Sequence, residues 1–200
     1  MNCGYIRRTR MTINLLKGQK MNLTKEAKNG LSKITIGLGW DQIKKKGLFG
    51  SFQTADLDAS IILSTESELM TECVYFSHKT SDDHSIKHAG DNLTGAGEGD
   101  DEQIFADLSK VSPEINRLTV VVNIYNAKMK KQNFGMIKNA YVRVFDQDSN
   151  EMVRFNLSND NPNATGIIVA EVIRNGTEWE FEAVGKGAVV ANINGFVSYL

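Results

Sequence analysis

The densest chemistry in the chain lies between Gly90 and Glu102, thirteen residues that hold five carboxylates and four glycines with no Lys, Arg or Pro. The acids are Asp91, Glu98, Asp100, Asp101 and Glu102. Carboxylates this close repel one another, and a fold that gathers them needs hydrogen bonds, protonation or a bound cation to offset the repulsion. The glycines allow positive φ and let backbone carbonyls turn inward beside the acids, which suits an all-oxygen shell. Such ligands point to Ca²⁺ first and to Mg²⁺ or Mn²⁺ second. The alternative for the same residues is a solvated acidic surface loop.

Two familiar loops do not fit. On the EF-hand template, Asp91 to Glu102 puts Leu93 and Gly95 at ligand positions and Ala96 where glycine is required. A phosphate-cradling loop needs a Lys followed by Ser or Thr, whereas this run ends in Asp-Asp-Glu and repels phosphate. Elsewhere, period-two geometry places Asp56 and Asp58 on one side of a strand start, where two carboxylates can share an ion. Asp146-Gln147-Asp148-Ser149-Asn150 has a calcium-like order but no acid at the twelfth position, and is read as a turn. Glu178, Glu180 and Glu182 alternate regularly with Trp179, Phe181 and Ala183, as a solvated strand face does.

The acidic run resembles the signature of the TerD family, the tellurium-resistance and bacterial stress proteins. Matching motifs follow in the family's order: Gly37-Leu38-Gly39-Trp40-Asp41, Asp56-Leu57-Asp58-Ala59-Ser60, Asp107-Leu108-Ser109, and Gln132-Asn133-Phe134-Gly135 running into Lys138-Asn139-Ala140. The resemblance runs from about Thr12 to about Gly187. It implies a calcium-binding β-sandwich of a tellurite and stress resistance system. Its ligands carry over to Asp41, Asp56, Asp58, Asp91, Asp100, Asp101 and Glu102, with Asn92 added through its backbone or side chain. Glu98, flanked by glycines at the loop tip, is left facing water. The acids outnumber the needs of one ion, so two neighbouring Ca²⁺ ions are expected. The resemblance further implies a scaffold that works with other tellurium-resistance proteins, including a membrane partner at the inner membrane face.

The competing class is a metal-dependent phosphoester hydrolase built on the same acidic cluster, with His78, His84 or His88 as a base. The histidines lack a metal-ligand spacing and no Ser-His-Asp or Cys-His arrangement is recognisable, so they are read as surface residues of a turn and the chain as non-enzymatic. With only Cys3 and Cys73, neither a zinc site nor thiol chemistry on tellurite is expected, and Cys73 reads as a buried thiol.

Two hundred residues at 41% hydrophobic suit one sizeable domain, assigned to residues 11–200 with residues 1–10 as a disordered extension. No apolar run approaches the roughly eighteen residues of a membrane span and the start lacks a secretory signal, so a cytoplasmic location is expected. Residues 1–46 carry a net +9 and the remainder −10. The lysines are scattered without interleaved aromatics, so no nucleic-acid partner is expected.

The positioning elements are strands. Ile34, Ile36 and Leu38 alternate into Gly39-Trp40-Asp41, and 42–52 follows as a loop. Further strands are read at 56–63, 73–76, 102–108, 118–125, 140–145 and 153–157, with a closing hairpin of 167–173 and 178–184. The strand at 118–125 is expected to be central. Lys128 to Asn133 reads as loop, and Phe134 to Lys138 as one short helical turn. Residues 188–200, longer and more apolar than the family pattern, are expected to add an edge strand or meet a partner. The whole reads as all-β: a β-sandwich of two mainly antiparallel sheets with few short helical turns.

Overall fold

A computed structural model describes residues 12–41, 55–90, 99–157 and 161–200. The expectations for residues 1–10, for the 42–52 loop and for Asp91, Asn92 and Glu98 lie outside the described residues. Among the described residues, period-two alternation becomes twelve strands in two six-stranded sheets. The first sheet is ordered β1 (Ile13–Asn14), β10 (Glu151–Asn156), β9 (Lys138–Asp146), β3 (Lys33–Asp41), β7 (Glu102–Asp107) and β6 (Ile86–His88). The second is ordered β2 (Lys20–Asn22), β12 (Glu178–Ala188), β11 (Gly166–Asn175), β8 (Arg117–Ile124), β4 (Leu57–Ser64) and β5 (Glu72–Val74). All pairings are antiparallel except that of β1 with β10.

Between the sheets, alternate residues of each strand interlock: Ile34, Ile36 and Leu38 from β3, Val142 and Val144 from β9, and Leu118, Val120 and Val122 from β8. Seven of the eight residues of β8 are buried, as its expected central place requires. Of the Lys128–Asn133 segment expected as loop, residues 128–130 lie in a short helix (Ala127–Lys130) whose Ala127 is packed in the core. Phe134–Met136 forms the expected helical turn.

The largest departure is the C-terminus, which neither extends a sheet edge nor stands free. Ile193–Tyr199 forms a 3-10 helix that lies on the outer face of the second sheet. Val190, Ile193 and Phe196 pack there against Ile62, Val121 and Ile168, and Phe196 is fully buried. A side chain at Gly166 would meet the Phe196 ring at 2.5 Å and Val190 at 2.7 Å, so the missing Cβ is what lets the segment come down. The spacing of three between Val190, Ile193 and Phe196 is that of a 3-10 helix, not of a strand.

The acids of β12 behave as expected of a surface face. Glu180 and Glu182 face Lys20, and Glu178 faces Lys25, all at 3.6 Å or less. Asp146 accepts from the backbone N–H groups of Asp148 and Asn150, an Asx-type turn joining β9 to β10. Cys73 is half-buried against the outer cluster, and desolvation raises its thiol pKa.

Candidate functional site

Strand direction gathers the acidic motifs. β3 ends at Asp41 where antiparallel β7 begins at Glu102, and β4 begins beside Asp56 and Asp58 where β8 ends. The Ala59 N–H donates to Glu102 Oε2 at 2.8 Å across the two sheets, so both pairs of strand ends lie at one end of the sandwich. Asp41, Asp56, Asp58, Asp100, Asp101 and Glu102 are therefore brought to that end.

Three consecutive acids leave the chain in three directions. Asp100 lies over the outer face of the first sheet, where Arg143 Nε donates to its Oδ1 at 2.6 Å and Gln103 Nε2 to its Oδ2 at 3.2 Å. It occupies the space above Gly37, where an added Cβ would fall 2.1 Å from the carboxylate. Tyr141 likewise covers Gly39, where an added Cβ would fall 2.5 Å from its ring, and its hydroxyl donates to the Gly99 carbonyl. The two glycines of Gly37-Leu38-Gly39 are thus the floor on which an acid and a phenol rest. Asp101 caps the end of β3: its N–H donates to the Leu38 carbonyl at 2.7 Å, and its Oδ2 accepts from the Trp40 N–H at 3.0 Å. Glu102 turns inward between the sheets.

Glu102 shares its interior place with His88. β4 is paired with β5 only from Ile61 to Leu63, so among the described residues the Ala59 peptide edge faces no strand on that side. Glu102 takes the Ala59 N–H and His88 Nε2 reaches the Ala59 carbonyl at 3.2 Å. Gly90 N–H donates to His88 Nδ1 at 3.1 Å, which assigns the proton to Nε2 and makes it the donor to the carbonyl. His88 is 1% exposed, which corrects its reading as a surface residue. The signal was present in the sequence: His88 is two residues from Ile86 on β6 and shares its buried face. His78 and His84 are exposed.

The remaining acids hold the rim. Asn139 Nδ2 donates to Asp41 Oδ2 at 2.7 Å, and Asn123 Nδ2 to Asp58 Oδ2 at 3.1 Å. The Asp56 carbonyl accepts from the Tyr125 N–H, and Lys130 Nζ lies 3.7 Å from its carboxylate. Trp40 Nε1 donates to the Ala55 carbonyl, which ties the end of β3 to the approach of β4. Burial raises the Asp101 pKa, with the charges of Asp100 and Asp41 adding to it and the Trp40 N–H opposing. For Arg143, desolvation acts downward but the hydrogen bond and charge of Asp100 win, and its pKa is raised. Arg143 and Tyr141 were not singled out by sequence; only the tertiary register, which sets Arg143 opposite Gly37 and Tyr141 opposite Gly39, reveals them.

Among the described residues, the donor set at this end is all oxygen apart from the enclosed His88, and it is carboxylate-rich, which fits a hard divalent cation. The acids are not equivalent toward one. Asp100 is already matched by a guanidinium and Glu102 is committed to the Ala59 peptide, whereas Asp41 and Asp101 stand together at the end of β3.

A β-sandwich with an acid-lined end is the class that fold and site define. The TerD domain family model matches residues 11–199, and the chain belongs to that family. It is 43% identical to the stress response protein SCP2 of Bacillus subtilis, over 94% of this chain and 98% of that one. It is 37% identical to the tellurium resistance protein TerZ of Serratia marcescens, over 86% and 89%. With the tellurium resistance protein TerD of the same organism it shares 34% identity over 88% and 91%. The crystal structure of a homologue of telluride resistance protein TerD from Streptomyces coelicolor superposes with a TM-score of 0.67 at 25% identity, over 83% of this chain and 98% of that one. Among the described residues, no helix is long and apolar enough to cross a membrane.

Proposed function

We propose that the chain is a calcium-binding, non-enzymatic module of a tellurite and stress resistance system, acting as a Ca²⁺-dependent scaffold. The observation that carries the reading is the convergence of six acids from three separate strand ends on one end of the sandwich. Sandwich stability alone does not call for such a gathering, because each carboxylate brought there adds repulsion. Asp41 and Asp101 are the ligands we assign first, with Asp56 and Asp58 across the sheets, Asp91 and Asn92 from the adjoining acidic run, and room for a second ion. Asp100 and Glu102 act behind them. Asp100 holds the chain to Arg143, and Glu102 fixes the spacing of the two sheets. Bound calcium supplies the positive charge that lets the acids stand together, and so orders the surface used for partner contact.

The names of the relatives support tellurium and stress resistance as the setting. Other tellurium-resistance proteins, one of them at the inner membrane face, are the partners we propose, with a cytoplasmic location. The test is calorimetric titration of the chelator-treated chain with Ca²⁺, alongside thermal unfolding. Saturable heat and a rise in Tm are expected, and at a hundredfold excess over Kd the added stability is about 2.7 kcal/mol. Asp41→Asn with Asp101→Asn removes both effects. No heat and no Tm shift at millimolar Ca²⁺ would sink the reading and leave a solvated acidic end.

A further inference from the structure

The C-terminal segment closes the outer face of the second sheet over only part of its length. Along β4 the outward residues run Ile62, Ser60, Asp58, and along β8 they run Val121, Asn123, so the face changes from apolar to polar toward the acidic end. At that point it opens into a cleft of about 330 Å³. Asp58, Ser60 and Asn123 form its floor and are 4%, 1% and 6% exposed. The turn after β5 gives one wall through Tyr75 and Phe76, Tyr125 gives the next, and residues 191–194 of the C-terminal segment close the third.

A floor of three buried polar side chains is costly unless polar partners meet it. Asp58 and Asn123 meet each other, and Ser60 lies beside them on the same face. The walls are a continuous aromatic surface. Tyr75 and Phe76 are edge-to-face at 5.6 Å, Phe76 and Tyr125 at 6.0 Å, and Tyr125 remains 43% exposed. Asn126, Asn192 and Asn194 add amides at the rim. Among the described residues, no Lys or Arg lines the cleft; the nearby Lys130 stands over the Tyr125 ring with its ammonium 3.7 Å from Asp56. An oxyanion such as a phosphate or tellurite entering the cleft therefore meets the Asp58 carboxylate, which disfavours it.

We propose that this cleft binds a neutral polyhydroxylated ring, a free sugar or a sugar headgroup, with its C–H face on Tyr125 and Phe76 and its hydroxyls toward Asp58, Ser60 and Asn123. Each ring hydroxyl both donates and accepts, and a carboxylate, an amide and a hydroxyl side by side offer both functions at neighbouring positions. Tyr side chains supply apolar area with a polar tip, which suits a ring that is apolar on its face and polar at its edge. The volume is at the lower end for small-molecule sites. An organic cation would also favour an acid beside aromatic rings, but here the Asn123 amide already meets the acid and four amides surround it, a hydrogen-bonding lining rather than a cation cage.

The inference goes beyond the calcium reading and shares one residue with it, Asp58. The experiment therefore titrates the full chain, ¹⁵N-labelled, with methyl glucoside, methyl mannoside, N-acetylglucosamine, choline and inorganic phosphate, following the Asn side-chain amides. It is repeated in the Tyr125→Ala, Ser60→Ala and calcium-deficient Asp41→Asn/Asp101→Asn chains. At least one glycoside is expected to give saturable shifts at Asn123, Asn126 and Asn192, weakened about tenfold by Tyr125→Ala and measurably by Ser60→Ala. The calcium-deficient chain is expected to retain the binding, so a failed calcium reading and a failed cleft are distinguishable. Sedimentation with phosphatidylcholine vesicles, with and without a glycosyl-diacylglycerol, then separates headgroup from free sugar. The proposal is overturned if no glycoside shifts these amides, if choline or phosphate alone does so, or if Tyr125→Ala leaves glycoside binding unchanged.

Discussion

Two acidic turns sit on opposite terms with the fold. At Ser81 to Ile86, Asp83 accepts at Oδ1 from the Ser81 hydroxyl, the Ser85 N–H and the Ser85 hydroxyl, and at Oδ2 from the Ser112 N–H. Desolvation acts to raise its pKa, but these four donors outweigh it and hold the carboxyl at about 2. At the end of β3, Asp101 has the Trp40 N–H as a donor and two like charges nearby, and burial shifts its pKa upward. The first turn carries its own compensation for the charge it buries. The second sets two further carboxylates, Asp100 and Asp41, beside Asp101, and that crowding separates a structural acid from one suited to a cation.

Breaking the self-sufficient turn has the larger effect. Asp83→Ala leaves two hydroxyls and two N–H groups without their acceptor, and a loss of about 4 kcal/mol is expected in denaturant unfolding. Asp83→Asn keeps one acceptor oxygen and costs less. The pH dependence follows from the lowered pKa. The stability Asp83 contributes is present above its unfolded value of 3.8 and is lost as pH falls through about 2. Below about pH 4 the wild-type chain should lose stability faster than Asp83→Asn on acidification, and Ca²⁺ should leave that difference unchanged.

Arg143 tests how much of that crowding is already offset. Its guanidinium lies between Asp100 and Glu151, and the Asp100 side chain is 1% exposed. Arg143→Gln strands that buried charge, with an expected cost of about 2 kcal/mol, less than for a fully interior pair because Arg143 keeps some contact with water. Adding Asp100→Asn to the same chain should recover most of the loss. If the single change is silent, the pair is a surface contact and Asp100 belongs with the crowded acids Asp41 and Asp101.

The strands were legible because period-two alternation is local: β3, β8, β9 and the β11–β12 hairpin stand where the sequence puts them. The C-terminal cover was misread because 190, 193 and 196 were weighed as bulk apolarity and not as a spacing of three. His88 was misread because its motif neighbours are turn residues, although Ile86 gave its face. For the acidic site, the gathering of motifs followed from strand direction, but the fan of Asp100, Asp101 and Glu102 did not. It depends on Arg143 and Tyr141, which reach Asp100, and on Ala59, which reaches Glu102, each from about forty residues away, and on two glycines whose purpose shows only when the sheet pairs.

The smallest expected effect is the sharpest comparison. Asp101→Asn keeps an oxygen to accept the Trp40 N–H and removes only the charge. Without divalent cations, this relieves repulsion from Asp100 and Asp41 and should stabilise the chain by about 1 kcal/mol, since exposed and half-exposed charge pairs are worth no more. With Ca²⁺ saturating, the sign should reverse, because the wild-type chain gains binding energy that the variant has lost. Thermal unfolding of both chains with chelator and with millimolar Ca²⁺ reads this as curves that cross. A variant less stable than wild type under both conditions would mean that Asp101 is a cap like Asp83, and that the two turns do not differ in kind.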